Sequence, residues 1–254
     1  MSEKLLMIVW GKRWLIFRLA RVYDSAKPTL TPPSLIIAET TMPTTPMIIS
    51  NGQLSSATWL PSPNQNARPN NNHDDITHDD TTINAKDGIN TIVIHNISLP
   101  PNEFAQTDKN GLHYVKALFT NQLDWNAHPY FQTIKGAEVS AHLFIERDGS
   151  ITQFVNFAER AWHAGRSSYL GRQECNDYSI GIELEGSDFT AFSDIQYQVL
   201  SEVIIAIYKA YPKTRRHLTG HSDVAPGRKT DPGDYFDWAR LRALLANKLG
   251  NESL

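Results

Sequence analysis

SIGIELEG, residues 179–186, alternates apolar with non-apolar residues without a break, and a period of two makes it a strand with one covered face. Ile180, Ile182 and Leu184 turn toward a core. Gly181, Glu183 and Glu185 share the opposite face, where two carboxylates are too costly to bury unless a cation answers them. That face is expected in solvent or in a site, and Gly181, with no side chain, leaves room beside Glu183 for a ligand.

A second run, NTIVIH at residues 90–95, is rich in β-branched residues and reads as a buried strand with Ile92 and Ile94 on one side and Val93 and His95 on the other. His95, followed by the polar Asn96, stands where a strand delivers a ligand to the rim of a sheet. A core histidine with both nitrogens satisfied is the plainer alternative. Residues 139–145 and 151–155 flank RDGS at 147–150, a hairpin signal because Asp-Gly accepts positive φ. His142, in the first of these strands, reads as a core residue.

Helical periodicity appears in three places. Residues 111–120 carry Leu112, Val115, Leu118 and Phe119 on one stripe. Ser193-Asp-Ile-Gln196 is a capping box opening a helix to about Tyr211, which Pro212 ends. A last helix starts at Asp237, shows Trp238, Leu241, Leu245 and Leu249 on one face, and is expected to close at Gly250. Strands alternating with helices give the fold class α/β (α+β), a mixed central β-sheet flanked by helices.

The residues that carry chemistry gather in LTGHSDVAPGRKTDPGDYFDW, residues 218–238, which is too rich in Gly and Pro to be helical. It holds His221, Lys229 and Asp231, although Asp231 would also serve simply to turn the chain before Pro232. Combined with His95, two imidazoles and a carboxylate make a three-ligand set that leaves Zn²⁺ an open position for water. Glu183 would take a proton from that water, and Lys229 would stabilise the oxyanion formed on attack at a carbonyl. The chemistry this spells is hydrolysis of an amide.

Composition narrows the partners. At 254 residues with 41% hydrophobic side chains the chain can bury one sizeable core, and a formal net charge of -3 calls for neither nucleic acid nor an anionic membrane. Cys175 is the only cysteine, which excludes a disulfide within the chain and a cysteine-based metal cluster, and it lies far from the N-terminus, where a processed lipoprotein would carry its lipid. Residues 1–46 read as a poorly structured N-terminal extension, either a short membrane-surface helix or translated upstream sequence. Lys12, Arg13 and Arg18 interrupt its apolar runs, so no stable membrane insertion is expected. Residues 47–254 form the main domain, with a disordered insertion at about 70–88 whose His73 and His78 lack the apolar surroundings to hold a metal.

VIHNISLPP around His95, NAHPYF at 126–131, AWHAG at 161–165, CNDYSIGIELEG at 175–186 and GHSDVAPGRKTDPG at 220–233 together resemble the 1,6-anhydro-N-acetylmuramyl-L-alanine amidases of the AmpD type. The resemblance covers nearly everything from about Trp59 to Leu245. It implies a fold shared with phage amidases and peptidoglycan recognition proteins, and one Zn²⁺ per chain held by His95, His221 and Asp231 with Glu183 and Lys229 catalytic. It also implies a cytoplasmic, monomeric enzyme acting on anhydro-muropeptides in cell-wall recycling, with Asn96, Tyr130, His163 and Arg228 expected to bind substrate. Glu138 and Glu174 depart from it, standing where relatives place basic residues toward the peptide's carboxylates. An exported amidase acting on intact peptidoglycan and a non-catalytic peptidoglycan-binding protein are the competing readings. The intact set of ligands and catalytic residues argues against the second.

Overall fold

Residues 179–185 lie at the middle of the main sheet. The computed structural model describes residues 6–10, 13–17, 46–69 and 88–251, and the chain divides into two units, Met1–Thr44 and Thr45–Leu254. In the first unit Leu6–Trp10 (β1) and Arg13–Phe17 (β2) pair antiparallel, Leu6 opposite Phe17. A surface helix is not what forms there: both runs are dominated by branched and aromatic residues that favour strands.

The second unit opens with a small antiparallel pair, Ile49–Ser50 (β3) and Gln53–Leu54 (β4). Thr58–Trp59 (β5) and Gln65–Ala67 (β6) follow, then Thr91–Ile97 (β7). Tyr114–Phe119 (α1) and Pro129–Thr133 (α2) precede a hairpin of Leu143–Ile145 (β8) and Ile151–Gln153 (β9). Glu159–Ala161 (β10), Ser168–Tyr169 (β11) and Arg172–Gln173 (β12) are short, and Ser179–Glu185 (β13) returns to the main sheet. The chain then runs through Asp194–Ala210 (α3), Leu218–Gly220 (β14), the single turn His221–Val224 (α4) and Trp238–Asn251 (α5).

Six strands form the mixed sheet in the order β14-β7-β13-β8-β9-β5. β14, β7, β13 and β8 run parallel, β9 is antiparallel to β8, and β5 is parallel to β9. One face packs Ile92, Ile94, Ile180, Ile182 and Leu184 against Leu200, Val203, Ile204 and Ile207 of α3 and Leu241 and Leu245 of α5. The other packs Phe144 and Phe154 against Val115, Leu118 and Phe119 of α1 and Phe131 of α2. Each fully buried Leu, Ile or Phe contributes roughly 1.5–3 kcal/mol relative to exposure, so these two layers carry the fold.

The capping box at α3 forms as read: Ser193 Oγ accepts from Gln196 N at 3.2 Å and Gln196 Oε1 accepts from Ser193 N at 3.0 Å. Gln196 does more than cap, because its Nε2 donates to the carbonyls of Ile145 and Glu185 and so pins the helix start to the ends of β8 and β13. Two expectations need correction. The helix expected over 111–120 begins only at Tyr114, where His113 Nδ1 accepts from Val115 N. α5 continues through Gly250 to Asn251. The chain is also structured before Asn90: β5 and β6 join sheets, and the half-buried Arg68 sets its guanidinium on the carbonyls of Phe157, Asn176 and Ser179. The proposed insertion, apart from Gly88, lies outside the described residues.

Candidate active site

The parallel strands β7, β13 and β14 end on the same edge, the edge where open α/β sheets present ligands. β7 delivers His95 in its fifth position, β13 delivers Glu183 directly opposite in the register, and the residue immediately after β14 is His221. The stretch 218–238 is therefore more regular than its Gly and Pro content suggests: Leu218–Gly220 pairs with Ile92–Ile94, and Asp223 Oδ2 accepts from Gly220 N to start the helical turn that carries His221. Ser222 N donates to the Asp231 carbonyl at 2.9 Å, which folds the loop back and brings Asp231 to the same point.

Three atoms converge there. His95 Nδ1 and His221 Nδ1 are 2.9 Å apart, and Asp231 Oδ2 lies 3.1 Å from the first and 3.0 Å from the second. Ligands at the ~2.0–2.1 Å of zinc–nitrogen and zinc–oxygen bonds in a tetrahedron stand roughly 3.3 Å apart, so the triangle has the size such an ion needs. All three residues are buried enough to form a group that could hold a metal. Burial pushes His95 down to about 4 against the opposing pull of Asp231, which keeps the imidazole neutral and available as a ligand. Burial alone would raise Asp231, but the imidazoles of His221 and His95 outweigh it and hold the carboxyl far below the usual range. His221 Nε2 donates to the Ala164 carbonyl at 3.2 Å, which turns Nδ1 toward the centre. A donor set of this kind asks for a cation.

A cavity of about 280 Å³ opens over these atoms, lined by Asn96, Tyr130, Trp162, His163, Glu183, His221, Lys229 and Asp231 among others. Glu183 is buried, and its Oε2 has no hydrogen-bond partner among the described residues. Burial first, and then the charge of Asp231, push its carboxyl well above the ordinary glutamate range, with Lys229 pulling the other way. Glu185, on the same strand face, is also buried but fully answered: His113 Nε2 lies 2.9 Å from it, and the amides of Ala105 and Arg147 donate to it. Of the two carboxylates on the face, one is a strut and the other faces the cavity unpaired.

The remaining expected site residues divide. Asn96 lines the cavity while its Nδ2 donates to Asp188 Oδ1 at 2.7 Å and to the Pro232 carbonyl at 3.0 Å, tying two loops together. Tyr130 lines it from α2. Arg228 lies apart from it, its Nη2 on the carbonyls of Ala164 and Arg166 at 2.6 and 2.8 Å. His163 is buried rather than exposed, and its ring fills the space over Gly181 that a ligand was expected to use: a Cβ at 181 would stand 2.4 Å from His163 Cγ. His142 is a core residue, accepting at Nδ1 from Gly181 N. The sequence gives no sign of Ser179, Asp188 or the Ala164 carbonyl, which act only through contacts distant in the chain. Glu138 adjoins the cavity-lining Ala137 and Val139, and Glu174 pairs with Arg160 at 3.5 Å.

The profile of the Amidase_2 family of N-acetylmuramoyl-L-alanine amidases matches residues 85–234, more than half of the chain. The chain belongs to that family. The amidase is 48% identical over 199 residues to the 1,6-anhydro-N-acetylmuramyl-L-alanine amidase AmpD of Citrobacter freundii, covering 78% of this chain and 95% of that one. It is 48% identical over 202 residues to AmpD of Escherichia coli K12, covering 80% and 99%. A crystal structure of a selenomethionine AmpD derivative matches with a TM-score of 0.69 at 48% identity, over 78% of this chain and 99% of that one. These matches span nearly the whole of the relatives but 78–80% of this chain, and among the described residues no helix is long and apolar enough to cross a membrane.

Proposed function

We propose that the amidase hydrolyses the bond between the lactyl group of 1,6-anhydro-N-acetylmuramic acid and L-alanine in muropeptides, in the cytoplasm, during recycling of the cell wall. The observation that carries this reading is the His95, His221 and Asp231 triangle opening into a cavity where Glu183 is buried and its Oε2 has no hydrogen-bond partner among the described residues. The similarity to AmpD relatives over nearly their whole length supports the substrate.

His95 Nδ1, His221 Nδ1 and Asp231 Oδ2 would hold one Zn²⁺, which when bound supplies Lewis acidity toward the attacking water and the scissile carbonyl. Glu183 is the proton acceptor. Its raised affinity for a proton matches that of a base that takes a proton at one step and returns it to the leaving alanine nitrogen at the next. Lys229, on the exposed rim of the cavity, places a cation toward the oxyanion that develops as the carbonyl carbon becomes tetrahedral. Tyr130, Trp162 and Asn96 form walls that orient the sugar and the first peptide residue.

The test compares the protein on a defined anhydro-muropeptide and on intact sacculi, each with and without chelator. Chelator-sensitive release of peptide from the anhydro substrate, with little from sacculi, is the expected result. Preference for sacculi would replace the substrate assignment with that of an exported amidase.

A further inference from the structure

We propose that His163 and Ser179 fix the tautomer of His95, and that they are positioning residues for the cation site. The proposal rests on the metal reading given above. One atom in the chain of contacts has no choice of role, the carbonyl oxygen of Cys175.

A carbonyl oxygen only accepts. Ser179 Oγ lies 2.5 Å from it, so the single hydroxyl proton points there. The same Oγ is 3.1 Å from His163 Nε2 and meets it as an acceptor, which places the proton of the His163 ring on Nε2. A neutral imidazole carries one such proton, so His163 Nδ1 is bare. That bare nitrogen is 2.9 Å from His95 Nε2, which must therefore carry the proton between them. What remains on His95 is the Nδ1 lone pair, aimed at His221 Nδ1 and Asp231 Oδ2. The order of donation, His95 to His163 to Ser179 to the Cys175 carbonyl, leaves no second arrangement for neutral rings.

His221 reaches the same state by one direct bond to the Ala164 carbonyl, whereas His95 needs two intervening side chains. The longer route is held rigidly. The His163 ring packs on Gly181 and stands edge-on to His95 with ring centroids 5.0 Å apart, and the amides of His163 and Ala164 both donate to Asn176 Oδ1. Because both ring nitrogens are committed, His163 has no polar ring atom left for a substrate. It touches the cavity but serves the ligand behind it.

The experiment has a spectroscopic arm and a metal-binding arm. Long-range proton–nitrogen correlation spectra of metal-free and Zn²⁺-loaded protein carrying ¹⁵N-histidine report which ring nitrogen holds each proton. The expected result is a proton on Nε2 of both His163 and His95 in the loaded protein, and a bare His163 Nδ1 in both states. A His163 ring protonated at Nδ1 overturns the proposal. In the second arm, competition with a chelator measures Zn²⁺ affinity. His163→Leu should lose about 10–100-fold, and His163→Asn, whose carbonyl can accept at the position of Nδ1, should recover most of that loss. Leucine and wild-type affinities within about twofold of each other overturn it as well. Ser179→Ala, which removes one oxygen and adds no bulk, keeps the test open if the leucine variant fails to fold, and a mixture of His163 tautomers is expected in it. Failure of the wild-type protein to bind Zn²⁺ would sink the metal reading itself, while the metal-free spectra would still decide the order of donation.

Discussion

Glu183 and His95 are register partners across β13 and β7, so one rung of the sheet delivers both the proposed proton acceptor and a proposed metal ligand. Changing the acid to its amide should separate the two duties. Glu183→Gln is expected to keep metal stoichiometry unchanged while kcat falls by roughly 10²–10⁴-fold. Elemental content and kcat measured side by side check this, and loss of metal would make Glu183 a ligand.

The same substitution has a thermodynamic signature in the metal-free protein. Burial raises the Glu183 carboxyl above its unfolded value, so the folded state binds the proton more tightly than the unfolded chain. Stability from this group is fully present below the unfolded glutamate value and is lost as pH rises from there through the folded value. Glu183→Gln cannot ionise. Its Tm should exceed that of the wild type at about pH 8 and the gap should narrow toward about pH 4, a comparison that thermal scans across pH make directly. A constant gap would mean that Glu183 is not buried with a raised affinity for protons.

His221→Ala removes one corner of the triangle and leaves the carbonyl of Ala164 without that donor. Zn²⁺ affinity and turnover are expected to collapse together, in contrast to the split expected with Glu183→Gln. Equilibrium dialysis and rate assays on one preparation suffice. Lys229→Ala should fall with Glu183, losing rate while metal and substrate binding survive better.

A chain begun at Met47 should fold and turn over substrate as the full chain does. The sheet and every atom of the triangle belong to the unit Thr45–Leu254. A markedly lower Tm or kcat in the shortened protein would show that residues 1–46 contribute to the fold or the site.

How legible all this is from sequence depends on how local the cause is. The period of residues 179–186, the β-branched run at 90–95 and the capping box at Ser193 are local, and each element forms where it is read. The convergence of His95, His221 and Asp231 was readable because strand ends and a Gly/Pro loop leave few places for those side chains to go. β5 and β6 span only two and three residues, too few for any period to show. The inward turn of His163 is set by the absence of a side chain at Gly181, 18 positions along, and nothing in AWHAG signals it. Glu185 reads like Glu183 along the strand; only the distant His113, Ala105 and Arg147 make one a strut and leave the other for chemistry.

The packing of the His163 ring on Gly181 also binds two positions in evolution. A methyl group at 181 has no room while the ring is there. Drift away from glycine at 181 is therefore open only to lineages whose residue 163 has already given up its imidazole. By the proton order inferred here, such a lineage would first have to find another acceptor for His95 or accept a weaker hold on its metal.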